Sequence, residues 1–205
     1  MDIGVLGGTF DPVHLGHLVV AEEVTARLGL AGVLFVPAGK PWLKANTGIS
    51  AAEHRVQMVR LAISGKPGLR LSTMEVERAG PSYAVDTIKA LKGRLGAGDE
   101  LFFILGWDNL IDLPRWHQPR QLISMCRLVA VPRIGSPLPD LDALETKIPG
   151  LSQRVVMLDK PQIDISASVI RERVRRGLSI NRLVPERVEK YIREQGLYDV
   201  KSEGG

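Results

Sequence analysis

The sequence predicts an α/β fold with a doubly wound parallel sheet, helices on both faces and a C-terminal helical subregion. Two observations predict this class: short apolar runs alternate with amphipathic segments of helix length, and the alternation persists along nearly the whole chain. A glycine pair between the first strand and the first helix is the third observation, because such turns bind ligands in open α/β sheets.

Six apolar runs have the length of strands: 3–7, 33–38, 69–77, 101–106, 127–133 and 155–158. The first, IGVLG, and the fourth, LFFILG, are apolar at nearly every position, which is typical of buried strands in a parallel sheet. The strand–helix–strand alternation implies parallel strands that are joined by right-handed crossovers.

Five segments have the apolar spacing of helices: 15–30, 51–64, 82–95, 166–177 and 185–196. Gly29 is the expected stop of the first helix. Ser50 and Glu53 predict a capping box at the start of the second, and Pro185 suits the first turn of the last. The segment 132–142 is predicted to be a loop within one domain, because the alternation resumes after it.

The composition predicts one domain over residues 1–199 and a disordered tail over 200–205. Of the 205 residues, 44% are apolar and 24% charged, as in ordinary globular proteins. Cys126 is the only cysteine, which excludes an intrachain disulfide and a CxxC metal site and favours a small core residue. Because we find no signal peptide and no apolar run of membrane-spanning length, we expect a cytoplasmic protein without a membrane partner.

The balance of charge is mildly basic, with 27 basic and 23 acidic residues and a formal net charge of +4. A basic excess fits a partner that carries phosphates, either a nucleotide or a nucleic acid, and equally fits a plain solvated surface. Charge alone does not choose between these interpretations.

The stretch GGTFDPVHLGH at 7–17 lies where the first strand ends and the first helix begins. Gly7 and Gly8 allow the backbone to approach a ligand closely, and a helix start favours phosphate. Neither GxxxxGK[ST] nor GxGxxG is present, so the commonest phosphate-binding glycine motifs are excluded. His14 and His17, three residues apart, can face phosphate oxygens together. Capping of the helix and metal binding are the alternatives for an isolated HxxH.

This stretch resembles the (T/H)xGH signature of a nucleotidyltransferase superfamily, to which class I aminoacyl-tRNA synthetases are related through HxGH. Within the superfamily the chain resembles bacterial nicotinate-nucleotide adenylyltransferases over residues 3–199. Six further segments carry the similarity: VPAGKPWLK (36–44), EHRVQMVRLAI (53–63), MEVERAGPSYAVDTI (74–88), FFILGWDNLIDLPRWH (102–117), ISASVIRERVRRGLSINRLVP (165–185) and VEKYIREQGLY (188–198).

The resemblance implies a Rossmann-like HxGH nucleotidyltransferase fold and adenylyl transfer from ATP to nicotinate mononucleotide. The products are deamido-NAD and pyrophosphate, as in NAD biosynthesis. It implies Mg²⁺ bound mainly through the ATP phosphates, and no metal site made of protein ligands. We expect small-molecule partners and no nucleic-acid partner, and the sequence leaves a homo-oligomer open.

The resemblance also assigns site residues. The expected catalytic residues are His14, His17 and Arg171. The expected ATP-binding residues are Gly7, Gly8, Thr9, Phe10, Gly106, Asp108, Ser166 and Ser168. The expected substrate-binding residues are Lys44, Ala84, Val85, Trp116 and His117. For Asp108 a turn or helix cap, and for Trp116 plain core packing, are the alternatives.

Four positions depart from the family's motifs. Trp42 and Leu43 stand where the family has Pro and His, Ala84 stands in place of Thr, and Ala167 in place of Ser. These changes leave the choice between the acid and amide mononucleotides open.

Three other functions remain as alternatives at this point. The first is pantetheine-phosphate adenylyltransferase, which shares the leading motif. An RNA-binding module is a weaker alternative, suggested by the basic segment RERVRR at 171–176. A catalytically inactive structural homologue is the third, and the presence of His14, His17 and Arg171 argues against it.

Overall fold

A computed structural model describes residues 1–40, 48–96 and 98–199. Its core is a parallel sheet of six strands: β1 Ile3–Gly8, β2 Gly32–Pro37, β3 Leu69–Leu71, β4 Leu101–Gly106, β5 Arg127–Val131 and β6 Val155–Met157. The strand order is β3-β2-β1-β4-β5-β6, and each neighbouring pair is parallel. This order is that of a doubly wound sheet, with the switch point between β1 and β4. The predicted fold class is therefore confirmed.

The helices of the described residues are α1 Leu15–Leu28, α2 Ala52–Ile63, α3 Met74–Glu77, α4 Ala84–Lys92, α5 Trp107–Asp112, α6 Pro119–Met125, α7 Leu141–Lys147, α8 Ala167–Arg175 and α9 Glu186–Glu194. A single 3₁₀ turn, Leu113–Arg115, follows α5. Within this described part, no helix is both long and apolar enough to cross a membrane.

The sheet separates two apolar cores, because successive strand residues point to opposite faces. On β1, Leu6 packs into one core with α1, α2, α8 and α9. Its neighbour Val5 packs into the other core with α4, α5, α6 and α7. On β4, Ile104 and Phe103 divide in the same way. The two C-terminal helices therefore cover the same face of the sheet as the helix that follows the histidine-containing turn.

The predicted strand at 69–77 is wrong beyond Leu71. The carbonyl oxygen of Thr73 accepts hydrogen bonds from the N–H groups of Val76 and Glu77, which closes the short helix α3. This helix buries Glu75, which is 7% exposed. A helix of four residues is too short to show a helical period in the sequence.

The predicted capping box at α2 is also wrong. The N-cap is Ala51, which makes no side-chain cap hydrogen bond. The backbone N–H of Ser50 instead donates to Oδ2 of Asp11, at 3.1 Å. Ser50 therefore makes a tertiary hydrogen bond to Asp11 and is not the N-cap of α2.

The predicted helix start at Ser82 is two residues early, because α4 begins at Ala84. The Ser82 hydroxyl accepts hydrogen bonds from the N–H groups of Gly39 and Lys40. The predicted stop of α1 is confirmed: Gly29 adopts a left-handed φ of 62°, and its N–H donates to the Thr25 carbonyl.

Candidate active site

A cleft of about 330 Å³ opens at the carboxyl ends of the central strands. Its walls include the ends of β1, β4 and β5, together with the residues that follow them. This is the switch point of the sheet, where crossovers leave in opposite directions and a crevice forms between them. The fold therefore places this cleft where the glycine–histidine stretch lies.

Nine of the residues expected at the site line this cleft: Gly7, Gly8, Thr9, His14, His17, Ala84, Gly106, Asp108 and Trp116. Six others lie outside its lining: Phe10, Val85, His117, Ser166, Ser168 and Arg171. Lys44, with Trp42 and Leu43, falls outside the described residues. The structure thus brings expected residues of three chain segments, 7–17, 74–88 and 102–117, around one space.

His14 stands at the N-cap of α1 and is 4% exposed. Burial, together with the nearby positive charge of Arg133, lowers the pKa of His14 to about 4. The imidazole is therefore neutral at pH 7, since burial in a low dielectric disfavours the charged form. Among the described residues, Nδ1 of this ring has no hydrogen-bond partner.

His17 is fixed by its neighbour one turn earlier. The backbone N–H of His14 donates to Nδ1 of His17, at 3.1 Å. Because Nδ1 accepts this hydrogen, the neutral His17 ring carries its own proton on Nε2. The Phe10 ring meets His17 edge to face, at a centroid distance of 4.9 Å. His17 can therefore accept a backbone N–H at the helix start through Nδ1 and still offer its Nε2–H to a ligand.

Phe10 is a buried residue of the turn between β1 and α1. Its φ of 52° is in the left-handed region, which is rare for a bulky residue, and its side chain is 2% exposed. A Cβ on Gly8 would lie 3.1 Å from the Phe10 ring. Glycine at position 8 therefore lets the strand end pack closely against this ring.

The end of β4 presents a carboxylate to the cleft. Asp108 lies in the first turn of α5, and its Oδ2 is 3.5 Å from Nη1 of Arg133. Its Oδ1 is buried without a partner among the described residues. A Cβ on Gly106 would collide with that same Oδ1, so glycine makes room for the carboxylate.

Trp116 combines packing with exposure to the cleft. Its ring meets Phe103 nearly perpendicularly, at 87° and 6.0 Å between centroids. Its Nε1 is buried without a partner in the described part of the chain. His117 stacks on Tyr83, at 4.2 Å, whereas Val85 is a core residue with 2% exposure.

The polar residues at the start of α8 lie outside the lining of the cleft. The Ser166 hydroxyl accepts the Val169 N–H at 3.3 Å and lies 3.1 Å from the Ser168 hydroxyl. Nη1 of Arg171 donates to the Asp11 carbonyl at 2.7 Å. Arg171 therefore contacts the backbone of the turn before α1, and its assignment as a catalytic residue stays a prediction.

Sequence reasoning missed several lining residues: Gly16, Glu75, Ser82, Asn109, Arg133, Ile163 and Ile165. Arg133 follows β5 and lies opposite Asp108, so its position at a strand's carboxyl end was a usable signal. Glu75 was hidden by the incorrect strand assignment. Burial raises the pKa of Glu75, and the Thr87 hydroxyl donates to its Oε1 at 2.5 Å.

The site's chemistry suits an anionic ligand with a polar aromatic end. Two imidazoles, one guanidinium and the start of α1 surround the glycine pair, and such groups bind phosphate oxygens. Three lining residues each have one buried polar atom without a hydrogen-bond partner among the described residues: His14, Asp108 and Trp116. No group of three or more metal-ligating side chains occurs in residues 1–40, 48–96 and 98–199.

Comparison with known proteins agrees with this geometry. The family model "Cytidylyltransferase-like" matches residues 5–173. A protein of Dehalococcoides mccartyi named "Probable nicotinate-nucleotide adenylyltransferase" is 54% identical, over 95% of this chain and 96% of its own length. One of the same name from Roseiflexus sp. is 42% identical, over 96% and 97%.

A solved structure shares the fold. The Plasmodium falciparum nicotinic acid mononucleotide adenylyltransferase, complexed with NaAD, superposes with a TM-score of 0.77. The match covers 96% of this chain and 97% of that one at 20% sequence identity. At this identity the likeness supports the architecture alone.

Proposed function

The chain belongs to the cytidylyltransferase-like family, and from this we propose that it transfers the adenylyl group of ATP to nicotinate mononucleotide. The products are deamido-NAD and pyrophosphate. The observation that carries the proposal is the stacked pair His14 and His17 in the cleft at the end of β1. The names of relatives 40–54% identical to the chain support the same reaction.

The reaction is a displacement at the α-phosphorus of ATP. A phosphate oxygen of the mononucleotide forms the new P–O bond, and the bond between the α-phosphorus and the bridging oxygen breaks. Pyrophosphate leaves with that electron pair, so no covalent intermediate with the protein is needed. Catalysis then depends on positioning and on stabilising the charge that develops on the phosphates.

We assign the phosphates to the turn between β1 and α1. Gly7 and Gly8 let the backbone approach them, and the start of α1 directs its positive dipole end toward them. His17, protonated on Nε2 when neutral, supplies a hydrogen-bond donor, and His14 supplies a second imidazole. The charge of Arg133, which also lines the cleft, favours the same polyanion.

Mg²⁺ fits this site as a companion of ATP. The nucleotide phosphates and water would supply most of its coordination. When bound, the ion neutralises part of the triphosphate charge. The protein's task is to hold the phosphates in line for attack.

The acceptor's pyridine ring is assigned to Trp116, whose indole faces the cleft beside Ala84. Without a Thr hydroxyl at position 84, recognition of the nicotinate carboxylate falls to backbone N–H groups near Val85 and His117. Cytoplasmic location and absence of a nucleic-acid partner stay predictions from the sequence, which leaves a homo-oligomer open.

The test is a side-by-side rate measurement. The protein is incubated with ATP and either nicotinate mononucleotide, nicotinamide mononucleotide or phosphopantetheine, and pyrophosphate is followed. We expect the highest kcat/KM with nicotinate mononucleotide. A higher value with either other acceptor, or no pyrophosphate at all, would overturn the proposal. Filter binding of RNA at physiological salt tests the remaining alternative.

A further inference from the structure

The turn before α1 is held by hydrogen bonds from three side chains that do not line the cleft: Arg55, Arg171 and Tyr198. It contains Phe10, whose left-handed φ of 52° is costly for a bulky residue. Such a conformation persists only when surrounding contacts fix it. The contacts that fix this turn therefore decide how well His14 and His17 are positioned.

Two arginines hold the carbonyl groups of this turn. Nη1 of Arg55 donates to the Thr9 carbonyl at 2.9 Å and to the Ala38 carbonyl at 2.7 Å. Arg55 is 2% exposed, so this guanidinium is a rigid link between the ends of β1 and β2. Nη1 of Arg171 donates to the Asp11 carbonyl at 2.7 Å.

The side chain of Asp11 is held by a residue near the other end of the chain. The Tyr198 hydroxyl donates to Oδ1 of Asp11 at 2.7 Å, across 187 positions of sequence. Oδ2 of the same carboxylate accepts the Ser50 N–H. Asp11 is 3% exposed, and a buried carboxylate that loses a hydrogen-bond donor is strongly destabilised.

Tyr198 is suited to be a permanent donor. Burial, and next the negative charge of Asp11, raise the pKa of its phenol, so the hydroxyl stays protonated across the physiological range. It also lies 3.9 Å from the sulfur of Met58 on α2, which fixes the ring against the helix that carries Arg55.

We propose that Tyr198 is a positioning residue for adenylyl transfer, acting through Asp11 on the turn that carries His14. This inference rests on the proposed function, since it assigns a reaction step to that turn. Without the phenol donor, Oδ1 of Asp11 loses this hydrogen bond, and the strained turn loses one of its constraints. The fold keeps its two cores, but the imidazoles spend less time in the productive geometry.

The variant Tyr198→Phe removes one hydroxyl and keeps the ring. Its matched control is Tyr191→Phe on α9, whose hydroxyl lies 2.8 Å from Nδ1 of His54 and away from the turn. Both variants lose one part-buried hydrogen bond, and Tyr198→Phe should lose more stability because its partner is a buried carboxylate. We expect kcat/KM for ATP to fall about tenfold in Tyr198→Phe and to stay within about twofold of wild type in Tyr191→Phe.

Two further measurements separate positioning from general stability. Hydrogen exchange of peptides covering residues 8–17 should quicken in Tyr198→Phe and stay unchanged in Tyr191→Phe. In a double-mutant cycle, Tyr198→Phe should cost much less when Asp11→Ala is already present, because alanine offers the phenol no acceptor.

The outcomes distinguish the two proposals. Equal kinetics and equal exchange in the two phenylalanine variants would overturn the role of Tyr198, even though wild type makes deamido-NAD. A wild-type protein that releases no pyrophosphate would overturn the proposed function. In that case exchange at residues 8–17 still decides whether Tyr198 fixes the turn.

Discussion

The ring of His14 lies face to face on the ring of His17, with centroids 3.7 Å apart and planes inclined by 26°. The two histidines are three positions apart in the sequence, and the His14 N–H donates a hydrogen bond to Nδ1 of His17. Because burial lowers the pKa of His14 to about 4, that ring would meet a phosphate in the proposed reaction as a neutral hydrogen-bonding group. The pair is therefore arranged for directional contacts more than for maximum positive charge.

Replacing His17 by alanine removes one donor from the proposed phosphate site. We expect turnover to fall about 100- to 1,000-fold, the usual effect of losing one donor to a developing negative charge. Pyrophosphate release with saturating ATP and nicotinate mononucleotide measures it, and thermal unfolding followed by circular dichroism verifies that the fold survives.

His54→Ala is the matched control, because His54 contacts Tyr191 and not the cleft. We expect it to lower the melting temperature while kcat stays near wild type. Turnover unchanged by His17→Ala would remove this residue from the mechanism.

His14 makes stability depend on pH. Its pKa is about 4 when folded and about 6.5 when unfolded, so the unfolded chain binds more protons between these values. Its contribution is complete above pH 6.5 and is lost as pH falls to about 4, amounting to about 3 kcal/mol at 1.36 kcal/mol per pKa unit.

His14→Asn keeps a favourable N-cap residue and removes the titration. Urea unfolding at pH 7 and pH 4.5 should show a smaller pH difference in the variant than in wild type. Identical pH differences would mean that the His14 ring is not kept neutral by burial.

The central part of the fold was predictable because its strands are continuous apolar runs, such as residues 101–106. Short helices such as α3 and α6 were not, since a turn or two shows no period. Arg133 illustrates the limit at the site. It reaches Asp108 because β4 and β5 pair with Gly106 opposite Val131, and this register is set by the whole sheet and not by neighbouring residues.

Trp116→Phe tests the assignment of the pyridine ring. Phenylalanine offers a smaller stacking surface, so we expect KM for the mononucleotide to rise about tenfold, equivalent to about 1.4 kcal/mol. Trp107→Phe is the control, because Trp107 packs against the same core without lining the cleft. Initial rates at varied mononucleotide concentration measure both. Equal KM values in the two variants would assign Trp116 to packing alone.

Cys126 should be unreactive in the native protein. It is 3% exposed, its Sγ lies 3.4 Å from the Leu122 carbonyl, and burial raises the pKa of its thiol to about 12. Since the thiolate is the reactive form, we expect no labelling by iodoacetamide at pH 8 until urea unfolds the chain. Rapid native labelling, followed by intact-mass measurement, would contradict the buried position.

Gly106→Ala tests whether Asp108 needs its present position. Gly106 has a φ of −74°, a conformation open to alanine, so only the collision of the new Cβ with Oδ1 of Asp108 opposes the change. We expect the carboxylate to move and KM for ATP to rise about tenfold, the effect of losing about one good hydrogen bond. Gly93→Ala is the control, because its φ is −66° and a Cβ there meets only ordinary contacts. Its stability should be equal to or above that of wild type, with unchanged kinetics. If Gly106→Ala left KM for ATP unchanged, Asp108 would not be a nucleotide ligand, and its carboxylate would serve only the contact with Arg133.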